Sequence, residues 1–316
     1  MLRDRLWNQL SSVDLLRMTE NVPPEMDLVM SGGGFLGYYL VGVDRVLRKL
    51  QQEGKLLKVV RYAGTSVGAL ASIAMVCNLG DHMISLYDNL QGTPDFFPKI
   101  RDYFLSILPD DAYEQCTGRV HIVISRVEFL GGFLPHLKPL VVSSFESNHD
   151  LVEACMASCS VPYFVSSQLF YPFRGFLCMD GFFTKNIHIL EGSARPQLVV
   201  RLHHVPYSWK SVLRPMENVV LPLIIQGAME TELFFHQSNA RVGALEWHSF
   251  PQKKVKVGRR RIVPMILHKL RHGVWKVSTY MPGLPDLRTT SVVVGFAVVV
   301  WAVVVQKRRR LVRETG

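Results

Sequence analysis

"VVRYAGTSVGALASIAM", residues 59–75, passes from an apolar run through a glycine-bracketed serine into a helical pattern. Val59, Val60 and Tyr62 close a strand that runs through "KLLKVVRYA", and Leu70 to Met75 read as a helix. Between them Gly64, Thr65, Ser66, Val67 and Gly68 match G-x-S-x-G, the spacing of a nucleophile elbow. Such a turn holds its serine in a strained strand-to-helix corner, and the flanking glycines let the chain reverse without a Cβ clash. The helix N-terminus behind the serine favours negative charge that develops near its hydroxyl. The pentapeptide alone recurs by chance; its place between a strand and a helix gives it weight.

The same progression occurs upstream in "MDLVMSGGGFLGYYLVGV", residues 26–43. Leu28-Val29-Met30 forms a strand, a glycine cluster follows, and Tyr38 to Gln52 reads as a helix ended by Gly54, with Val43, Val46, Leu47 and Leu50 on one side. Gly32, Gly34 and Gly37 fit G-x-G-x-x-G, but a dinucleotide site also needs an acidic residue at the end of the next strand, about twenty residues on. That strand ends "VVRYAG", and Glu53 falls in the turn before it, so the fingerprint is incomplete and no cofactor is expected. With the elbow beside it, the loop has another use. The amides of Gly32, Gly33 and Gly34, with the helix beginning near Gly37, converge with Val67 N–H on one oxyanion, where each donor is worth roughly 10² to 10³ in rate.

A serine hydroxyl needs a base. "LCMDGFF" places Asp180 at the end of a strand, before Gly181. Burial raises a carboxyl pKa, and direct contact removes the entropic cost of finding the proton. The competing reading is a turn cap, common for aspartate before glycine. Histidine is a further option: Ser66, Asp180 and then His203 or His204, at the end of "LVVRLHH", follow the chain order of a Ser-Asp-His triad. Ordinary polar residues at a strand end are the plainer account of that pair.

Strand and helix alternate from residue 26, which predicts an α/β fold on a mostly parallel sheet. "RVHIVISRVEF" and "PLVVSSF" read as strands, and "DLVEACMASCSVP" as a helix closed by Pro162. "FRGFLCMDGFF" and "PQLVVRLHH" read as the last two sheet strands. Residues 80–118 mix Pro, Phe and Asp and read as a cap or loop region, and the domain spans 26–250. Ahead of it, 1–25 contains Leu2, Leu6, Leu10 and Val13 at helical spacing before Pro23-Pro24, and Arg3, Asp4 and Arg5 argue against a secretory leader.

The 316 residues are 48% hydrophobic, enough for a sizeable core. The net charge of +10 is unevenly spread. Residues 251–316 hold fifteen Lys and Arg against Asp286 and Glu314, a balance of +13 that leaves −3 for the rest. No nucleic-acid recognition motif accompanies the basic tail, so a nucleic-acid partner is not expected. Cys77, Cys116, Cys155, Cys159 and Cys178 contain no C-x-x-C pair and read as small core residues, with no metal site expected.

The tail itself points to lipid. In 251–286, Val263, Ile266, Leu267, Leu270, Val274 and Val277 keep helical spacing opposite His268, Lys269, Arg271, His272 and Lys276, a basic amphipathic pattern suited to an anionic surface. A membrane anchor is expected over 287–306. Its uncharged run from Thr289 to Val305 covers ~25 Å as a helix, against a hydrocarbon core of ~30 Å, with Arg288 and Lys307 able to snorkel. A basic stretch, 307–316, follows. A buried valine-rich strand is the alternative. With no leader and a late span, the expected arrangement is a C-terminal anchor with the body in the cytosol. The organelle is open among mitochondrial outer membrane, peroxisome, endoplasmic reticulum and lipid droplet.

Taken together, the motifs resemble the patatin-like phospholipase family, most of all its animal triacylglycerol lipase and adiponutrin branch, over Asp27 to Asn186. "SGGGFLGYYLVGV" looks like the family's glycine loop, with Gly33 where that branch often has Cys. "GTSVG" looks like its elbow, "SCSVPYF" like its serine-to-proline stretch, and Asp180-Gly181 like the start of its D-G-G or D-G-A motif. The resemblance implies a three-layer α/β/α fold with a mostly parallel central sheet. It also implies a Ser66–Asp180 dyad without histidine, acting on lipid esters at a membrane or droplet surface; protein partners are not indicated. Phe182 departs from the family's Gly or Ala, so the aspartate turn is expected to be tighter or differently turned. A lipid-surface protein with an impaired site is the competing expectation.

Overall fold

The computed structural model describes residues 22–248 apart from 57, 91–95, 131–133, 163, 164, 167, 185–189, 191, 192, 208–211, 213–216 and 237–240. The expected N-terminal helix within 1–21 and the whole tail, 251–316, lie outside the described residues. The chain divides into a body, Met1–Glu128 with Leu137–His248, and a second unit, Phe129–His136 with Ser249–Gly316. The candidate site lies in the body.

Strand β1 (Glu25–Met30) leads through a 3-10 turn (Gly34–Gly37) into α1 (Tyr38–Gln52), then β2 (Lys58–Thr65) and α2 (Val67–Val76). Helices α3 (His82–Leu90), α4 (Phe96–Ile107) and α5 (Ala112–Cys116) precede strands β3 (Val120–Leu130) and β4 (Leu134–Val142). Helix α6 (Asn148–Cys159), strands β5 (Tyr171–Phe173), β6 (Phe176–Asp180) and β7 (Gln197–Val200), helix α7 (Glu217–His236), and strands β8 (Arg241–Val242) and β9 (Leu245–His248) complete the described chain.

The sheet order is β5-β6-β3-β2-β1-β7-β9-β8, with β4 on β3. Pairings β1–β2, β1–β7 and β2–β3 are parallel, whereas β3–β6, β5–β6, β7–β9 and β8–β9 are antiparallel. The sheet is therefore mixed, which corrects the expectation of a mostly parallel one: a parallel centre carries antiparallel wings. The cause is local. "FRGF", read as part of one strand, contains a two-residue hairpin at Arg174 (φ 47) and Gly175 (φ 77), both in the left-handed region that such turns require. A turn this short can only return the chain antiparallel. Nor is "PQLVVRLHH" the last strand, since β8 and β9 extend the sheet beyond β7.

Most of the described residues of 80–118 are helical, in α3, α4 and α5, rather than a loop. Met83, Ile84, Leu86 and Leu90 of α3, and Phe97, Ile100 and Phe104 of α4, keep helical spacing and are buried. Pro98 obscured that pattern, yet it lies in the first turn of α4, where a missing N–H costs nothing.

Leu28 and Met30 of β1, Leu198 and Val200 of β7, and apolar residues of every described α-helix form one continuous core cluster. The alternate residues Val29, Ala63 and Val199 face the other side and pack with Leu190. Right-handed crossovers explain the asymmetry: β1 to β2 to β3 steps in one direction, so both crossovers lay their helices on the same face. Of the expected outer layer on the opposite face, only Leu190 falls among the described residues of that cluster.

Helix α7 runs against α1 with little room between them. A Cβ on Gly42 would lie 2.1 Å from Ile224 O, and one on Gly227 would lie 2.1 Å from Tyr39 O. Among the described residues, Asn218–His236 is the one helical stretch long and apolar enough to cross a membrane, and 56% of its most apolar window is buried within the body. That burial is the placement of a core helix, a class that passes the same test of length and composition.

Candidate active site

Ser66 stands at the corner between β2 and α2. Ser66 has φ 56 and ψ −128 and is the N-cap of α2. A non-glycine residue so held costs of order 1–3 kcal/mol and persists only where its surroundings over-determine it. The glycines beside it serve close approach rather than unusual dihedrals. A Cβ on Gly64 would lie 2.2 Å from Gly68 O, and one on Gly68 would lie 2.5 Å from Met30 O. The helix therefore packs directly on the ends of β1 and β2, with Val67 N–H in its first turn.

Sheet register brings the aspartate to the serine. Thr65 pairs with Val123, and the next residue of β3, Ile124, pairs with Asp180. Residues 66 and 180 thus stand at one height on either side of a single strand. Gly181 allows the approach: a Cβ there would lie 2.2 Å from Val123 O and 3.0 Å from Thr65 Cγ2.

Asp180 is 2% exposed and Ser66 is 9% exposed. Burial pushes the Asp180 carboxyl up to about 7, against the opposing effects of the Phe182 N–H and the Ser66 side chain. Phe182 N donates to Asp180 Oδ1 at 2.8 Å, so the aspartate also caps the 3-10 turn Gly181–Phe183. The turn-cap reading and the base reading are not exclusive. Phe182 fits here because its contribution is backbone, while its side chain is half-exposed.

The glycine loop lies against the elbow. A Cβ on Gly32 would lie 3.0 Å from Ser66 Cβ and 3.8 Å from its Oγ, and one on Gly37 would lie 2.2 Å from Val67 Cγ2. Gly33 abuts Leu202, and Gly34 has φ +55, a conformation suited to glycine. Ser31 fastens the loop to the end of β7 by accepting Leu202 N–H at 2.9 Å and donating to Gly32 O at 3.2 Å. Ahead of α1, which begins at Tyr38 as expected, the loop forms the 3-10 turn Gly34–Gly37.

Two residues that sequence reasoning did not single out also belong here. Ser66 N donates to Ser158 Oγ at 2.8 Å, and the buried Cys159 thiol feels both the Ser66 side chain and the Asp180 charge. Burial, with the Asp180 charge adding to it, drives that thiol's pKa well up. The signal was the serine-to-proline stretch, noted only as a likeness. By contrast, His203 and His204 follow β7, with β3, β2 and β1 between that strand and the one carrying Asp180. Four steps of ~4.8 Å put the two strands ~19 Å apart. His204 instead responds to burial, Arg241, Glu246 and Arg201, so the geometry does not assemble a triad with Asp180.

All five cysteines are free and buried, as their core reading requires. Among the described residues no group of three or more His, Cys, Asp or Glu is arranged to hold a metal ion.

A mixed α/β sheet with a strained serine elbow, a facing glycine loop and a buried aspartate across one strand defines a class of α/β proteins built around an elbow serine. Within that class, the family model described as patatin-like phospholipase matches residues 28–191, and the chain belongs to that family. It is 32% identical over 169 residues to the omega-hydroxyceramide transacylase of Mus musculus, covering 49% of this chain and 26% of that protein. It is 34% identical over 179 residues to the mouse 1-acylglycerol-3-phosphate O-acyltransferase Pnpla3, covering 52% of this chain and 41% of the relative. Against the human patatin-like phospholipase domain-containing protein 4 it is 26% identical over 247 residues, covering 73% of this chain and 90% of the relative. The chain thus spans well under half the length of the first two relatives.

Proposed function

We propose that the protein is a serine-dependent lipid acyl hydrolase that cleaves phospholipid or acylglycerol esters through a Ser66–Asp180 dyad. The observation that carries this reading is the strained Ser66 corner set across one strand from the buried Asp180 carboxyl, with a glycine loop against it. Asp180 accepts the Ser66 proton as Oγ attacks the ester carbonyl carbon. The tetrahedral oxyanion is held by Val67 N–H at the start of α2 and by the amides of Gly32, Gly33 and Gly34. Collapse breaks the ester bond, and Asp180 returns the proton to the leaving alkoxide. Water then attacks the acyl-serine with Asp180 as base, releasing the fatty acid and restoring the serine.

A second reading shares every step up to the acyl-enzyme. The names of the transacylase and acyltransferase relatives favour handing the acyl group to a lipid hydroxyl instead of water. Product analysis on a panel of lipid esters, with and without a hydroxyl-bearing lipid acceptor, separates the two. Ser66→Ala and Asp180→Asn should each abolish both products while leaving the fold intact; turnover surviving in either pure variant refutes the dyad. Vesicle binding without turnover on any ester would leave the impaired lipid-surface protein.

From sequence alone, 251–286 is assigned to an anionic membrane or droplet surface and 287–306 to a C-terminal anchor with the body in the cytosol. Both assignments rest on apolar spacing and the uncharged run.

A further inference from the structure

We propose that Ser158 is a positioning residue for the reaction, a hydroxyl that holds the elbow at the angle from which Ser66 can meet Asp180. The inference rests on the dyad reading above.

Ser158 lies in the last turn of α6 and is fully buried. Its hydroxyl has one proton to give, and that proton goes to Val123 O at 2.6 Å. With the donor committed, a lone pair of Oγ is left for Ser66 N–H, which donates to it at 2.8 Å. The bond is therefore directional. Val123 is the β3 residue that pairs with Thr65, the last residue before the elbow. One side chain thus ties the strained corner to the strand that separates Ser66 from Asp180.

Two residues further on, Ser160 O accepts Asp180 N at 2.8 Å. The single corner Ser158–Cys159–Ser160 therefore grips the main chain of both dyad members, which are far apart in sequence. Cys159 lies between those two grips, buried. Gly181 is pressed on the same carbonyl, since a Cβ there would lie 2.2 Å from Val123 O. The elbow, the aspartate turn and the end of α6 converge on that oxygen.

This arrangement divides the work among the amides. Ser66 N–H is spent on Ser158, so it stabilises the nucleophile's backbone, and Val67 N–H is the elbow amide that remains for the oxyanion. Without the Ser158 acceptor, Ser66 N–H is buried and unpaired, and a corner held at φ 56 loses the bond that opposes its relaxation. Displacement of a nucleophile by about 1 Å costs on the order of 100-fold in rate, so the effect belongs in turnover rather than in substrate affinity.

The test compares Ser158→Ala, Ser158→Cys and Ser158→Thr in the full chain. Cysteine nearly keeps the side-chain volume with a poor acceptor, and threonine keeps the hydroxyl. Alanine and cysteine should lower kcat roughly 10- to 100-fold with KM little changed, and slow Ser66 labelling by a fluorophosphonate in parallel. Threonine should recover most of the rate. Wild-type turnover per folded molecule in the alanine and cysteine variants, whatever their melting temperatures, overturns the proposal. Ser66→Ala is run alongside: if it remains active the dyad reading falls, and if it is inactive while the Ser158 variants turn over normally, only this inference falls.

Discussion

A carboxyl that is 2% exposed meets one backbone N–H and one serine hydroxyl, with no cation among the causes that set its pKa. Its protonated form is favoured, and the folded value of about 7 stands above the ordinary 3.8. The native state therefore binds more protons than the unfolded chain between those values. Asp180 contributes fully to stability at low pH, and that contribution is lost as pH rises from about 4 through 7, at a cost of up to ~4 kcal/mol. Asp180→Asn should accordingly raise the urea midpoint at pH 8 while leaving it near the parent's at pH 4.5, and should abolish turnover. The same value predicts the rate profile: kcat/KM should fall on the acid side with an apparent pKa near 7, because only the carboxylate can take the Ser66 proton. A limb near 4 would remove Asp180 from the role of base.

Between elements, clearance decides more than composition. Helices α1 and α7 meet where Gly42 and Gly227 leave no space for a methyl group. Gly42→Ala should destabilise the body by about 1–3 kcal/mol in chemical denaturation, since the carbonyl it meets is backbone and cannot turn aside. Turnover per folded molecule should be unchanged, because Gly42 is remote from the elbow in chain and function. Helix α1 was legible residue for residue, from Tyr38 to Gln52, because its apolar spacing is uninterrupted and Gly54 follows. Helices α3 and α4 were not, because Pro98 reads as a breaker unless one knows that it falls in a first turn. The β5–β6 hairpin was hidden for a related reason: Arg174 is not among the residues that advertise a left-handed turn.

Across the whole molecule, strand order separates the candidate partners of Ser66 from one another. It sets Asp180 one strand away and separates both histidines from Asp180 by three. His203→Ala and His204→Ala, singly and together, should retain most ester turnover, whereas a triad would lose it by orders of magnitude. Removal of 251–316 should release the protein from vesicles without lowering turnover on a water-soluble ester; membrane binding that survives the truncation would move the lipid contact elsewhere. The elbow, the glycine loop, the aspartate and the α/β class could be read from the chain, because each depends on neighbours within a few residues: a strand end, a helix start, a glycine at a fixed offset. Strand direction, the separation of Asp180 from the histidines, the burial of Asp180 and the hydrogen bonds of Ser158 depend on contacts between segments tens of residues apart. Spacing along a chain carries no information about which distant backbone groups will share one carbonyl, so only the folded sheet decided them.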